Sequence, residues 1–216
     1  MNSQTQRFTL DGAAGALECA LDLPPTAQFD TPRGIALVGH PHPLYGGNMN
    51  NKVTQTLVRA FTALGYACAR MNFRGVGASG GEHDHGHGET DDMALLAAHM
   101  RSTYPGLPLI LGGFSFGTFV QSHLQARLQE AGEPATQLVL VGSAAGKWDM
   151  AKVPANTLLI HGERDETIPL SAVLTWAGEN ALPVVVIPEA DHFFHRKLNH
   201  IKDVVVRWIG NGQANA

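Results

Sequence analysis

The chain has 216 residues, 44% of them apolar, and a formal charge of −4 from 15 basic and 19 acidic side chains. That length buries one sizeable core and predicts a single domain over residues 1–216, while the acidic balance lacks the basic excess that binds polyphosphate, so a nucleic-acid partner is not expected. Cys19 and Cys68 stand far apart with no CxxC, so neither a disulfide framework nor a thiolate zinc site is expected.

No run approaches the ~18 apolar residues of a membrane span, and the first residues lack the apolar stretch of a secretory signal. A cytoplasmic protein is the expectation. The Gly12–Gly15 turn separates two candidate strands, Arg7–Leu10 and the alternating set Leu17, Cys19, Leu21 and Leu23. Short apolar runs follow at Ile35–Val38, Ala67–Phe73, Leu107–Leu111, Leu138–Val141, Thr157–Ile160 and Val184–Ile187. Most are continuous, which predicts strands covered on both faces. Between them Val53, Leu57, Phe61 and Leu64 share one helical face, as do Val120, Leu124 and Leu128, and a last helix is marked by Ile201, Val204, Val205 and Trp208. The alternation predicts an α/β fold with a mostly parallel sheet of about eight strands, because parallel neighbours need crossovers and crossover helices cover both sheet faces.

In such sheets chemistry gathers at the carboxyl ends of the strands. After Leu107–Leu111 comes Gly112-Gly113-Phe114-Ser115-Phe116-Gly117, a G-x-S-x-G at a strand-to-helix junction that would lift the Ser115 hydroxyl above the sheet. A serine hydroxyl needs a histidine base, and the base needs a carboxylate to fix its tautomer. Thr157–Ile160 is followed by His161-Gly162-Glu163-Arg164-Asp165-Glu166, and Val184–Ile187 by Pro188-Glu189-Ala190-Asp191-His192. The candidate set is therefore Ser115, Asp165 and His192, in nucleophile–acid–base order. Glu163 and Glu166 compete with Asp165, and His195 and His200 with His192; position directly after the strand favours His192.

Together with the loop Arg74–Ser79, these motifs resemble the α/β-hydrolase superfamily over nearly the whole chain, and the G-x-x-D pattern of that resemblance favours Asp165. More narrowly, His40-Pro41-His42-Pro43-Leu44-Tyr45-Gly46-Gly47 with Asn51-Lys52 is similar to a group of small cap-less bacterial serine hydrolases, akin to dienelactone hydrolases. The resemblance implies an α/β-hydrolase fold without a cap domain, since Gly146–Ala155 leaves no room for one before the next strand. It also implies two backbone donors for an oxyanion: Phe116, after the nucleophile, and one from the HPHP loop. Pro41 and Pro43 have no N–H, so the second donor is expected at His42, with Leu44 as the alternative. An open site edged by Leu44, Tyr45, Phe114, Trp148, Met150 and Phe193 follows, suited to small or exposed acyl groups.

The expected activity is ester or thioester hydrolysis of a small-molecule acyl substrate, without cofactor or metal; oligomeric state is open. Two other readings stand beside it. His40 and His42, or His83, His85 and His87 with Asp84 and Glu89, have the residue types of a metal-dependent hydrolase, although alternating histidines in a Gly-rich stretch more often form a mobile polar surface. A non-catalytic binding protein on the same fold is the third. Gly75–Gly80 matches G-x-G-x-x-G formally, but Gly81–His87 is not expected to open the helix that a dinucleotide site requires.

Overall fold

The computed structural model describes residues 5–214, with side chains as far as residue 210. An eight-stranded sheet forms the centre, made of β1 (Gln6–Gly12), β2 (Gly15–Asp22), β3 (Gly34–Gly39), β4 (Tyr66–Met71), β5 (Leu109–Phe114), β6 (Gln137–Val141), β7 (Leu158–Gly162) and β8 (Val184–Ile187). Their spatial order is β1-β2-β4-β3-β5-β6-β7-β8. The β1–β2 hairpin pairs antiparallel with itself and with β4, and every pair from β4 to β8 is parallel. Strands β3 to β7 are buried along nearly all their length, which is why their sequences run continuously apolar.

Among the described residues five α-helices cover the sheet: α1 (Lys52–Ala63), α2 (His87–Thr103), α3 (Phe116–Glu130), α4 (Leu170–Glu179) and α5 (Leu198–Ala214). Helices α1 and α5 close one face through Val53, Leu57, Phe61, Ile201 and Val205. Helices α2, α3 and α4 close the other through Met93, Leu96, Val120, Leu124 and Val173. The connection from β6 to β7, residues 142–157, carries no helix and only one isolated bridge, Ala145 to Trp148, so the sheet's carboxyl edge has no cap over it. No helix among the described residues is long and apolar enough to cross a membrane.

Two helices, α2 and α4, were not among the elements expected from the sequence. The strand expected at Leu107–Leu111 begins later and runs on through Gly112 and Gly113 to Phe114. The glycines belong to it for steric reasons. A Cβ at Gly112 would lie 2.8 Å from the Phe61 ring, and one at Gly113 would lie 2.5 Å from the Gly117 carbonyl oxygen.

Candidate active site

Ser115 occupies the one-residue turn between β5 and α3, at φ 54° and ψ −123°, a conformation that a residue with a Cβ adopts only at a cost. The surrounding contacts hold it there. Its amide donates to the Val141 carbonyl of β6 at 3.0 Å, and Thr118 Oγ1 donates to the Ser115 carbonyl at 2.6 Å. Gly117 lets α3 settle onto β3: a Cβ there would come within 2.5 Å of the Gly39 carbonyl carbon. The small residues of G-x-S-x-G thus mark close approaches of backbone to backbone.

Ser115 Oγ donates to His192 Nε2 at 3.0 Å, and His192 Nδ1 donates to Asp165 Oδ2 at 2.7 Å. All three residues are buried to within a few per cent, with Ser115 8% exposed. Asp165 Oδ1 accepts from the amides of Thr167 (2.9 Å) and Ile168 (2.8 Å), which fixes the plane of the carboxylate. Burial pushes its carboxyl pKa up, but the His192 hydrogen bond, the Ile168 amide and the neighbouring imidazoles outweigh this and hold it below the usual carboxylate value. The competing residues lie elsewhere. Glu163 is exposed and accepts from the Glu189 amide at 2.8 Å, Glu166 is exposed, and His195 is exposed and paired with Asp191 at 2.6 Å.

The two loops that supply Asp165 and His192 are stitched together. The Arg164 amide donates to the Ala190 carbonyl at 2.9 Å, and the Glu163 amide to the Ile187 carbonyl at 3.1 Å. Gly162 makes this possible, because a Cβ there would sit 2.5 Å from the Ala190 oxygen. A residue that sequence reasoning passed over, His161, lies beneath Asp165. It is fully buried, its Nε2 donates to the Ile168 carbonyl at 2.9 Å, and the same nitrogen approaches Asp165 Oδ2 at 3.4 Å. Its position directly after the apolar run of β7 was the available signal.

The amides of Phe116 and His42 find no acceptor among the described residues. The Leu44 amide does: it donates to His42 Nδ1 at 3.2 Å, closing a short 3-10 turn over Pro43–Tyr45, so the alternative donor is already engaged. His42 Nε2 therefore carries the ring proton, and burial followed by the nearby His83 lowers the His42 pKa. Half-buried Trp148 packs on Phe116 at 4.9 Å and on His42 at 5.4 Å. Leu44, Tyr45 and Phe193 are exposed by 70%, 87% and 46%, as an open rim requires.

Phe114 and Met150 do not belong to that rim. Phe114 is fully buried at the end of β5, with its ring 5.1 Å from that of His192, so it supports the imidazole from the core side. Met150 is buried in the core layer of α3 and α4, because residues 142–157 fold inward over that layer.

Hydrogen bonding takes His40 out of the metal reading and the amides of the Gly75–Gly80 loop out of the dinucleotide reading. Both His40 nitrogens are engaged, Nδ1 with the Pro41 carbonyl at 2.6 Å and Nε2 with the Phe73 amide at 2.9 Å, so no lone pair is left for a metal. Burial holds its pKa down to about 3. The histidine-rich stretch is surface at Glu82, Asp84, His85 and His87, but it is tied to the core at His83 and Glu89. His83 is buried against Glu89, which is itself fully buried and accepts from His83 Nδ1 (2.7 Å) and from the amides of Asp84 (3.1 Å) and Gly86 (2.9 Å). In the Gly75–Gly80 loop the amides of Gly75, Val76, Ala78, Ser79 and Gly80 all donate within the protein, and α2 opens only at His87. None of these five amides is free for a pyrophosphate.

Comparison with known proteins agrees with this architecture. Residues 42–157 match the family model described as serine aminopeptidase, S33. An α/β serine hydrolase without lid from Xanthomonas campestris is 37% identical, with a TM-score of 0.89 over 98% of this chain and 96% of its own. An α/β serine hydrolase homologue from Coxiella burnetii is 31% identical, with a TM-score of 0.85 over 94% of this chain and 96% of its own. An uncharacterised protein of Rickettsia prowazekii is 32% identical over 193 residues, covering 84% of this chain and 80% of its own. With the family model spanning more than half the chain, the chain belongs to the α/β-hydrolase superfamily, as a hydrolase without a cap.

Proposed function

We propose that the protein is a serine hydrolase that cleaves ester or thioester bonds of small or exposed acyl substrates through an acyl-enzyme on Ser115. The hydrogen-bonded line from Ser115 Oγ through His192 to Asp165 carries the reading. A binding protein has no physical need for a buried, correctly tautomerised set of these three groups.

His192 Nε2 takes the Ser115 proton as Oγ attacks the carbonyl carbon. The negative charge that develops on the carbonyl oxygen is met by the amides of Phe116 and His42, neither of which has an acceptor among the described residues. Asp165 keeps the proton on Nδ1 and stabilises the imidazolium. His192 then passes its proton to the departing oxygen or sulfur as the bond to carbon breaks. Water, activated by the same imidazole, releases the acid and restores Ser115. The uncapped edge gives bulky partners of the scissile bond room to remain in solvent, which favours small or exposed acyl groups.

A fluorophosphonate probe should label the wild type and leave Ser115→Ala unlabelled, and p-nitrophenyl esters or acyl thioesters of graded chain length should turn over only with the former. Labelling that survives Ser115→Ala overturns the assignment.

A further inference from the structure

Beside His192 lies a cavity of about 370 Å³ that the bond-breaking steps do not use. Asn48 and Asn50 line it from the loop that also carries His42, Lys52 from the first position of α1, and Phe193, His195 and Arg196 from the loop that carries His192. The two loops that supply an oxyanion donor and the base are thus its two walls. Phe193 joins it to the reaction centre, its ring standing across that of His192 at 5.1 Å and against Phe114 at 6.0 Å.

The cavity's charge is opposite to that of the chain. Overall the protein carries −4, yet no Asp or Glu is in the lining of this space; the carboxylate held against its wall is Asp191, paired with His195 at 2.6 Å, and neither Lys52 nor Arg196 forms an ion pair among the described residues. The Asn50 carboxamide makes no hydrogen bond to the protein among the described residues, and its Oδ1 is buried. The backbone supports the arrangement at some expense. Phe194 and Arg196 both sit at positive φ, 53° and 62°, a region that is costly for side chains other than glycine. The Phe194 amide donates to the Asp191 carbonyl at 3.1 Å and the Lys197 amide to the Phe194 carbonyl at 2.9 Å, holding the turn in place. The turn directs Arg196 toward the cavity that Lys52 faces from the first position of α1.

A leaving group departs next to the imidazole that protonates it, and this cavity shares the loop of that imidazole through Phe193, His195 and Arg196. We infer that this cavity binds an anionic group, carboxylate or phosphate, on the leaving half of the substrate, so that the enzyme prefers esters or thioesters of acidic alcohols or thiols. The inference rests on the Ser115 reading of the preceding section and narrows its substrate class.

The test compares acetate esters of phenol, of 4-hydroxybenzoate and of 4-hydroxyphenyl phosphate, using wild type, Lys52→Gln, Arg196→Gln and the double variant. The readout is the kcat/KM ratio of charged to neutral ester. Dividing the wild-type ratio by the variant ratio cancels the intrinsic reactivity of each leaving group. The wild-type ratio should exceed that of the double variant by about tenfold, and the excess should shrink at about 0.5 M salt. A larger excess for the phosphate ester identifies phosphate as the preferred group, and a larger one for the benzoate ester identifies carboxylate. Equal ratios in wild type and double variant overturn the inference. Fluorophosphonate labelling on the same samples separates the two failures: labelled Ser115 with equal ratios sinks the charge preference alone, and absence of labelling sinks the serine mechanism with it.

Discussion

Replacing Asp165 by asparagine keeps size and shape and changes only what the side chain donates and accepts. Oδ1 takes two amide donors, Thr167 at 2.9 Å and Ile168 at 2.8 Å, so the asparagine oxygen must occupy that position. Its NH2 group then replaces Oδ2, 2.7 Å from His192 Nδ1 and 3.4 Å from His161 Nε2. A donor facing Nδ1 forces that atom to accept, which moves the ring proton to Nε2, where the Ser115 proton has to go. Base catalysis is blocked although the geometry survives. The analogous change in the well-studied serine triad costs about ten-thousandfold in kcat, which is about 5 kcal/mol of transition-state stabilisation. Fold stability should fall far less, by about 1–2 kcal/mol, because Oδ1 keeps both amides while the His192 bond weakens. Initial rates on an activated ester and thermal unfolding of the same samples measure both. An Asp165→Asn variant within tenfold of wild-type kcat refutes the claim that this carboxylate sets the tautomer.

His40 titrates near 3 in the folded protein against 6.5 when free, so the unfolded chain takes up its proton first. Its contribution to stability is complete above pH 6.5 and is lost toward pH 3, at up to about 1.4 kcal/mol per pH unit, with buried His161 shifted in the same direction. Urea midpoints should therefore decline from about pH 6 downward, before Asp165 protonates below its ordinary 3.8, and a midpoint flat to pH 4 contradicts this. Gly117→Ala forces a Cβ to within 2.5 Å of the Gly39 carbonyl carbon, so α3 must lift from β3. A loss of about 1–3 kcal/mol in stability, together with much slower fluorophosphonate labelling, is expected. Glu89→Ala removes the acceptor for His83 and for the Asp84 and Gly86 amides in a buried setting. It should cost about 3 kcal/mol or more and speed hydrogen exchange over residues 82–90, which mass spectrometry of peptic fragments detects.

What could be read from the sequence and what could not divide along a physical line. Ser115, Asp165 and His192 were legible because the reaction dictates residue types and a parallel sheet dictates where they stand, directly after a continuous apolar run. Helix α2 was not, although Met93, Leu96, Ala97 and Met100 have helical spacing. Its first turns bury Glu89, Thr90 and Asp92, which read as solvent-facing until their partners are known. Those partners are distant or irregular: Arg74 grips Asp92 through two bonds of 2.8 and 2.9 Å, and Glu89 ties down the preceding loop. Phe114 and Met150 were misplaced for the complementary reason, since an apolar side chain near a strand end suits a rim or a core equally well by type. Tertiary geometry decided both, through the His192 ring that Phe114 supports and the inward fold of residues 142–157. The same logic explains His40 and His161, which carry the residue type of a catalyst or a ligand and are instead neutral fastenings at the ends of β3 and β7. A histidine at a strand end is informative only once its second nitrogen is accounted for. Among His40, His42, His161 and His192 at this edge, His192 alone joins an anchoring carboxylate on one nitrogen to the Ser115 hydroxyl on the other.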